Sequence, residues 1–173
     1  MSRILFIDPS STVTGYAVMG AAEQPIDAGL ITPAHADDPA HERAWSMACE
    51  VWSVATEYLV GGIVIEIPSG HVHGRHRHRS HGAGLSVYGM AAGIIYAYCR
   101  MQEATLGESA DSGYVQAVEE SDWTNSTPKE KRAKALAMRM PGLDLSTDTG
   151  RDMADAIELG LWWFEQAALL EKV

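Results

Sequence analysis

The chain has 173 residues, 46% of them apolar and 21% charged, with 13 Lys and Arg against 23 Asp and Glu and a formal net charge of −10. That length predicts one domain, residues 1–173, with a substantial core. The acidic balance excludes a general polyanion-coating protein, because phosphate contacts need Lys and Arg. No apolar run approaches the ~18 residues of a membrane span, and Met1-Ser2-Arg3 opens without the apolar region of a secretory signal. Cys49 and Cys99 read as reduced core thiols, which fits a cytoplasmic protein.

In chain order, Arg3–Ile7 is a short apolar run of the buried-strand kind, ended by Pro9, which cannot donate to a ladder. Thr14–Met19 reads as its returning partner. Residues 3–8, 14–20 and 26–32 are predicted as three antiparallel strands. Asp37-Asp38-Pro39 opens a helix with Pro near its start. In that helix Trp45, Cys49, Trp52, Thr56 and Leu59 recur at helical spacing as the apolar stripe. Gly61-Gly62 ends it. Residues 62–65 are four consecutive apolar or small positions, followed by Glu66 and Ile67, and 63–67 is predicted as a central strand covered on both faces and stopped by Pro68. Residues 69–83 are predicted as a loop, 84–102 as a second long helix, and Tyr114–Val118 as a fifth strand. Thr127–Met140 is predicted as a basic helix closed by Pro141-Gly142, and 150–170 as the last helix. The order is βββαβαβαα, an α/β protein.

Three of these segments place acids at element ends. Asp8 closes the first strand and is followed by Ser10, Ser11 and Thr12. Glu66 lies near the end of the fourth strand. Asp152 and Asp155, at i and i+3 on one helix face, sit in the first turns of the last helix, with Asp148 or Thr149 as its N-cap. Singly, each acid has an ordinary structural explanation, such as a turn former beside Pro9 or a complement to the helix dipole. Together they point to a metal site. A buried acid is costly unless paired, hydrogen-bonded or metal-bound, and a cluster of hard oxygen ligands suits Mg²⁺ or Mn²⁺.

Ile7-Asp8-Pro9-Ser10-Ser11 with Thr14-Gly15-Tyr16, then Ile65-Glu66, then Asp152-Met153-Ala154-Asp155-Ala156-Ile157, in that order across nearly the whole chain, resembles the RuvC-type Holliday junction resolvases. The resemblance implies a ribonuclease H-like fold with a five-stranded mixed sheet flanked by helices. It implies that the first and fourth strands are neighbours and that the last helix packs across them. It also implies a homodimer that cuts branched DNA, and four acidic catalytic and metal ligands, Asp8, Glu66, Asp152 and Asp155, holding two Mg²⁺ or Mn²⁺ ions. The His/Arg-rich loop after Glu66 departs from the housekeeping bacterial enzyme and suggests a phage-encoded or divergent member.

Eight of the 13 basic residues fall in two windows. Arg75, Arg77 and Arg79 lie in the loop, among five of the chain's seven His residues. They are read as a grip on phosphate backbone, which Arg suits by bidentate hydrogen bonding. A transition-metal site in the His tract ranks lower, because alternating His without Cys matches no structural zinc pattern, and a solvated loop is the bland alternative. Lys129, Lys131, Arg132, Lys134 and Arg139 form the second window. It is read either as an exposed charged helix face or as phosphate positioning by Lys129, Lys131, Arg132 and Lys134. Lys131 resembles a family lysine that approaches the active site. Trp123 could stack on a base, with packing the preferred reading. Gly89, Gly93 and Ala97 form a small-residue stripe on the helix 84–102. The resemblance assigns that stripe to the dimer interface, against close packing within one subunit. Walker, Rossmann and Gly-x-Ser-x-Gly motifs are absent. The Asp8 turn also resembles the phosphate loop of actin-like ATPases, which need two such domains. A small pre-ribosomal RNA nuclease of the same fold and a non-catalytic branched-DNA binder remain as rivals.

Overall fold

The structure, a computed structural model, describes residues 2–20, 24–69, 81–105, 114–124, 127–148 and 151–170. Five strands, β1 (Ile4–Asp8), β2 (Thr14–Met19), β3 (Pro25–Ile31), β4 (Ile63–Ile67) and β5 (Val115–Glu119), form one mixed sheet in the order β3-β2-β1-β4-β5. The first three pair antiparallel, as short connections allow, whereas β1–β4 and β4–β5 are parallel and need crossovers. The crossovers are α1 (Ala40–Glu57) and α2 (His81–Thr105). Three further helices follow β5: α3 (Glu120–Thr124), α4 (Lys129–Arg139) and α5 (Asp152–Leu170).

Strand alternation sorts the central side chains into two cores. Leu5, Ile7, Ile63 and Ile65 pack with α1 and α2 residues such as Met47, Val51 and Ile95. Phe6, Ala17, Met19 and Val64 pack with Leu136 of α4 and Met153, Ile157 and Leu159 of α5. The strand 63–67 is thus covered on both faces, as the apolar run that opens it predicts. Gly160 lets α5 lie close to the sheet, since a Cβ there would meet the Phe6 ring and the Met19 sulfur.

Three expectations need correction. The buried face of α1 is Ala44, Met47, Ala48, Val51, Val54 and Ala55, while Trp45 is 51% and Leu59 82% exposed. Small residues bring α1 close to its neighbours, and the large side chains at the expected stripe are left at the margin. Leu59 also lies beyond the helix end with φ 50°, which turns it outward. Cys99 is buried, but Cys49 is only partly so. Between β5 and α4 the chain also forms the short helix α3, which carries Trp123 and is absent from the predicted order. The loop prediction for 69–83 falls largely on residues outside those described, and α2 begins at His81, earlier than expected. No helix among the described residues is long and apolar enough to cross a membrane.

Candidate active site

Asp8 and Glu66 are brought together by strand register. Ile7 pairs with Ile65 across the parallel β1–β4 ladder, so the next residue on each strand, Asp8 and Glu66, stands at the same level. Both continue the face of Phe6 and Val64, which is the face covered by α4 and α5. The acids therefore point toward the start of α5.

That helix start is fixed by two local devices. Asp148 is fully buried, and its carboxylate accepts the backbone N–H groups of Met153 (3.2 Å) and Ala154 (2.9 Å), two of the donors a helix leaves unpaired at its N-terminus. Gly15, paired with Asp8 in the β1–β2 ladder, supplies the second. A Cβ at Gly15 would fall on the Asp152 carbonyl, so only glycine lets α5 press onto the sheet beside Asp8. Arg151, immediately before the helix, takes a left-handed φ of 67°.

Asp8, Glu66, Asp152 and Asp155 are all buried. One cation joins three of them: the Lys129 ammonium lies 2.8 Å from Asp8 Oδ2, 2.9 Å from Asp152 Oδ1 and 3.2 Å from Asp155 Oδ2. Glu66 is held from two sides, by the Tyr88 hydroxyl donating to Oε1 (2.7 Å) and the Trp123 indole N–H donating to Oε2 (2.9 Å). Asp155 takes a planar fork from Arg132, Nε to Oδ1 at 3.0 Å and Nη2 to Oδ2 at 2.6 Å.

The electrostatics follow from burial of like charges. Burial, then the charge of Glu66, holds the Asp8 carboxyl well above its usual range, against the pull of Lys129. Burial pushes Glu66 up to about 7, opposed by the Tyr88 hydrogen bond. Burial would lower the Lys129 ammonium, but the Asp8 and Asp155 carboxylates outweigh it and keep the lysine charged. Fully ionised, the four acids would carry two more charges than the cations beside them, Lys129 and Arg132, neutralise. The donor set, all carboxylate, fits a hard divalent ion that would fill this deficit. The spacing is that of a site filled by an ammonium. Among the described residues no group of three or more His, Cys, Asp or Glu is spaced to hold an ion as it stands, so ion entry requires Lys129 to withdraw.

The basic window divides. Lys129 is the residue that reaches the acids, whereas Lys131, singled out by the resemblance, is exposed on α4 with Lys134. Arg132 is buried, its guanidinium occupied by Asp155 and the Thr127 carbonyl. This corrects its grouping with backbone-gripping cations, since a helix turn of 100° per residue carries it inward while Lys131 points out. Lys129 had a legible signal: a cation at the first helical position, after Pro128, opposes the helix dipole and calls for an anionic partner. Tyr88 had none. Arg75, Arg77 and Arg79 lie outside the described residues. Gly93 and Ala97 are exposed, and a Cβ at Gly93 would meet nothing within 4 Å, so this part of the stripe does not pack against the rest of the described chain.

No family model matches the sequence, and no curated protein matches it. Solved structures do. RuvC from T. thermophilus in complex with a Holliday junction substrate superposes with a TM-score of 0.64 at 15% identity, over 97% of this chain and 96% of that one. Thermus thermophilus RuvC alone gives 0.61 at 14% identity, over 96% of each chain. The yeast mitochondrial Holliday junction resolvase Ydc2 gives 0.63 at 12% identity, over 99% of this chain and 81% of that one. These likenesses establish the RuvC-type, ribonuclease H-like fold along essentially the whole chain.

Proposed function

We propose that this protein is a divalent-metal-dependent endodeoxyribonuclease that resolves four-way DNA junctions by paired nicks. The observation that carries the reading is the convergence of four buried carboxylates, from β1, β4 and the first turns of α5, on one face of the sheet. Ordinary packing does not account for so much like charge in one place. The fold shared with two resolvases, one of them RuvC in complex with a Holliday junction substrate, supports the choice of substrate.

Asp8, Glu66, Asp152 and Asp155 would hold Mg²⁺ or Mn²⁺. When bound, such ions supply an acidified water and charge relief at the leaving 3′ oxygen. The ions would enter as Lys129 swings out of the cluster, taking the place its ammonium fills. Part-exposed at the mouth of the site, Lys129 is then free to pair with a phosphate oxygen. Lys131 and Lys134, exposed on the same helix, extend this positive edge and position the backbone on either side. Arg75, Arg77 and Arg79, soon after Glu66 in the chain, supply a further phosphate grip. A second copy of the chain, docked through the exposed Gly93 and Ala97 face of α2, would present two sites to one junction. The His/Arg-rich sequence after Glu66 is the feature that favours a divergent or phage-encoded resolvase.

A labelled four-way junction tests the reading. With Mg²⁺ or Mn²⁺ the protein is expected to give two nicks in opposing strands, and Asp8→Asn to bind the junction without cutting it. Replacing Arg75, Arg77 and Arg79 with Ala should flatten the salt dependence of binding. Full cleavage by Asp8→Asn would refute the assignment. A second reading, a non-catalytic binder of branched DNA, is favoured by the ammonium standing among the acids. It predicts junction binding with no cleavage under any divalent ion.

A further inference from the structure

We propose that Trp123 and Arg132 form one positioning bridge that sets Glu66 and Asp155 in the orientation the divalent ion requires. The proposal rests on the metal-dependent reading above and goes beyond it in assigning these two residues. Trp123 is 6% and Arg132 8% exposed. Neither can reach DNA, so neither is the base-stacking or phosphate-gripping group its residue type suggests.

Their contacts run toward the acids instead. The indole N–H of Trp123 donates to Glu66 Oε2 at 2.9 Å. The face of the same ring receives the Arg132 guanidinium, whose Cζ lies 4.8 Å from the ring centroid, within cation–π range. The edge of that guanidinium forks onto both oxygens of Asp155, and its remaining Nη1 donates to the Thr127 carbonyl. One ring and one guanidinium plane thus connect a carboxylate on β4 to a carboxylate on α5. Tyr88 pins the other oxygen of Glu66 at 2.7 Å, so rotation of that carboxylate is stopped only while the indole bond holds. A lysine at position 132 keeps the charge but has neither the planar fork nor the stacking surface. Groups hydrogen-bonded to metal-ligating side chains orient them, and their loss lowers metal affinity by about 10–100-fold.

The test uses the full chain and Mn²⁺ alone as the probe, with affinity read by isothermal titration calorimetry, and the Mn²⁺ dependence of junction cleavage read separately. Arg132→Lys and Trp123→Phe are each expected to weaken Mn²⁺ binding about tenfold or more. Cleavage should recover toward the wild-type rate at saturating Mn²⁺, so that the loss lies in ion affinity and not in turnover. The double variant should lose less than the product of the single losses, because both act through one bridge. Trp123→Phe keeps the ring and the packing, so it decides the matter if Arg132→Lys does not fold. Mn²⁺ affinities of both variants within about twofold of wild type would overturn the bridge, as would fully multiplicative losses in the double variant. If wild-type Mn²⁺ binding is absent or unaffected by Asp8→Asn, the underlying reading falls and the bridge with it. Intact wild-type binding with unaffected variants removes the bridge alone.

Discussion

Replacing Lys129 with Met probes what stands among the acids. The ammonium makes charge-assisted contacts of 2.8, 2.9 and 3.2 Å to three carboxylates buried almost completely. Removing one partner of a buried ion pair costs about 3–5 kcal/mol. The lysine side chain is 37% exposed, so water screens part of this and about 2–3 kcal/mol is expected. For a chain of this size that is a drop in Tm of roughly 5–10 °C. The measurement is thermal and urea unfolding in a chelator and again with saturating Mg²⁺. If the ammonium holds the place of the ion, Lys129→Met opens that place. The variant should then gain more stability from Mg²⁺ than the wild type does, since an ion at a hundred times its Kd adds about 2.7 kcal/mol. The deficit seen in the chelator should shrink or vanish. An equal Mg²⁺ effect on the two proteins, or a deficit unchanged by the ion, would refute the idea that lysine and ion share one position.

Other outcomes follow from the same geometry. Glu66 is pushed up to about 7 from an ordinary value near 4.5, so the folded protein binds its proton more tightly than the unfolded chain does. The associated stability is full below pH 4.5 and is lost as pH rises through 7. It amounts to roughly 3 kcal/mol in the metal-free protein. Glu66→Gln should remove this slope from urea unfolding curves taken across that range, and parallel profiles would contradict it. Asp148→Ala leaves the Met153 and Ala154 N–H groups without their acceptor inside the protein, at a cost of about 2–3 kcal/mol read from urea midpoints. Gly15→Ala places a methyl group on the Asp152 carbonyl. The start of α5 must move, with an expected loss of at least 1–3 kcal/mol and a collapse of junction cleavage. Wild-type cleavage by that variant would show that the helix start need not be held against β2.

Much of the architecture was legible because its signals are local. The apolar run Ile63–Ile65 needs no partner to read as part of a strand covered on both faces, and Pro9, Pro68 and Gly61-Gly62 mark ends wherever the chain goes. The acids at Asp8, Glu66, Asp152 and Asp155 could be chosen because carboxylates at element ends are conspicuous in the sequence, and the resemblance gave them an order. The α1 stripe misled because helical spacing ranks side chains by size and apolarity, whereas the packed face combines three alanines with Met47, Val51 and Val54, and leaves Trp45 exposed with Leu59 beyond the helix end.

Sequence alone determined every element except the short α3, and that acids gather at element ends, since strand and helix periods, breakers and caps act over a few residues. Tertiary structure alone decided which basic residue meets which acid. Lys129 and Arg132 lie three positions apart on one helix, and Lys131 between them points to solvent. That distinction depends on the angle at which α4 crosses the sheet and on the register that sets Asp8 level with Glu66. Both are settled by packing between segments far apart in the chain.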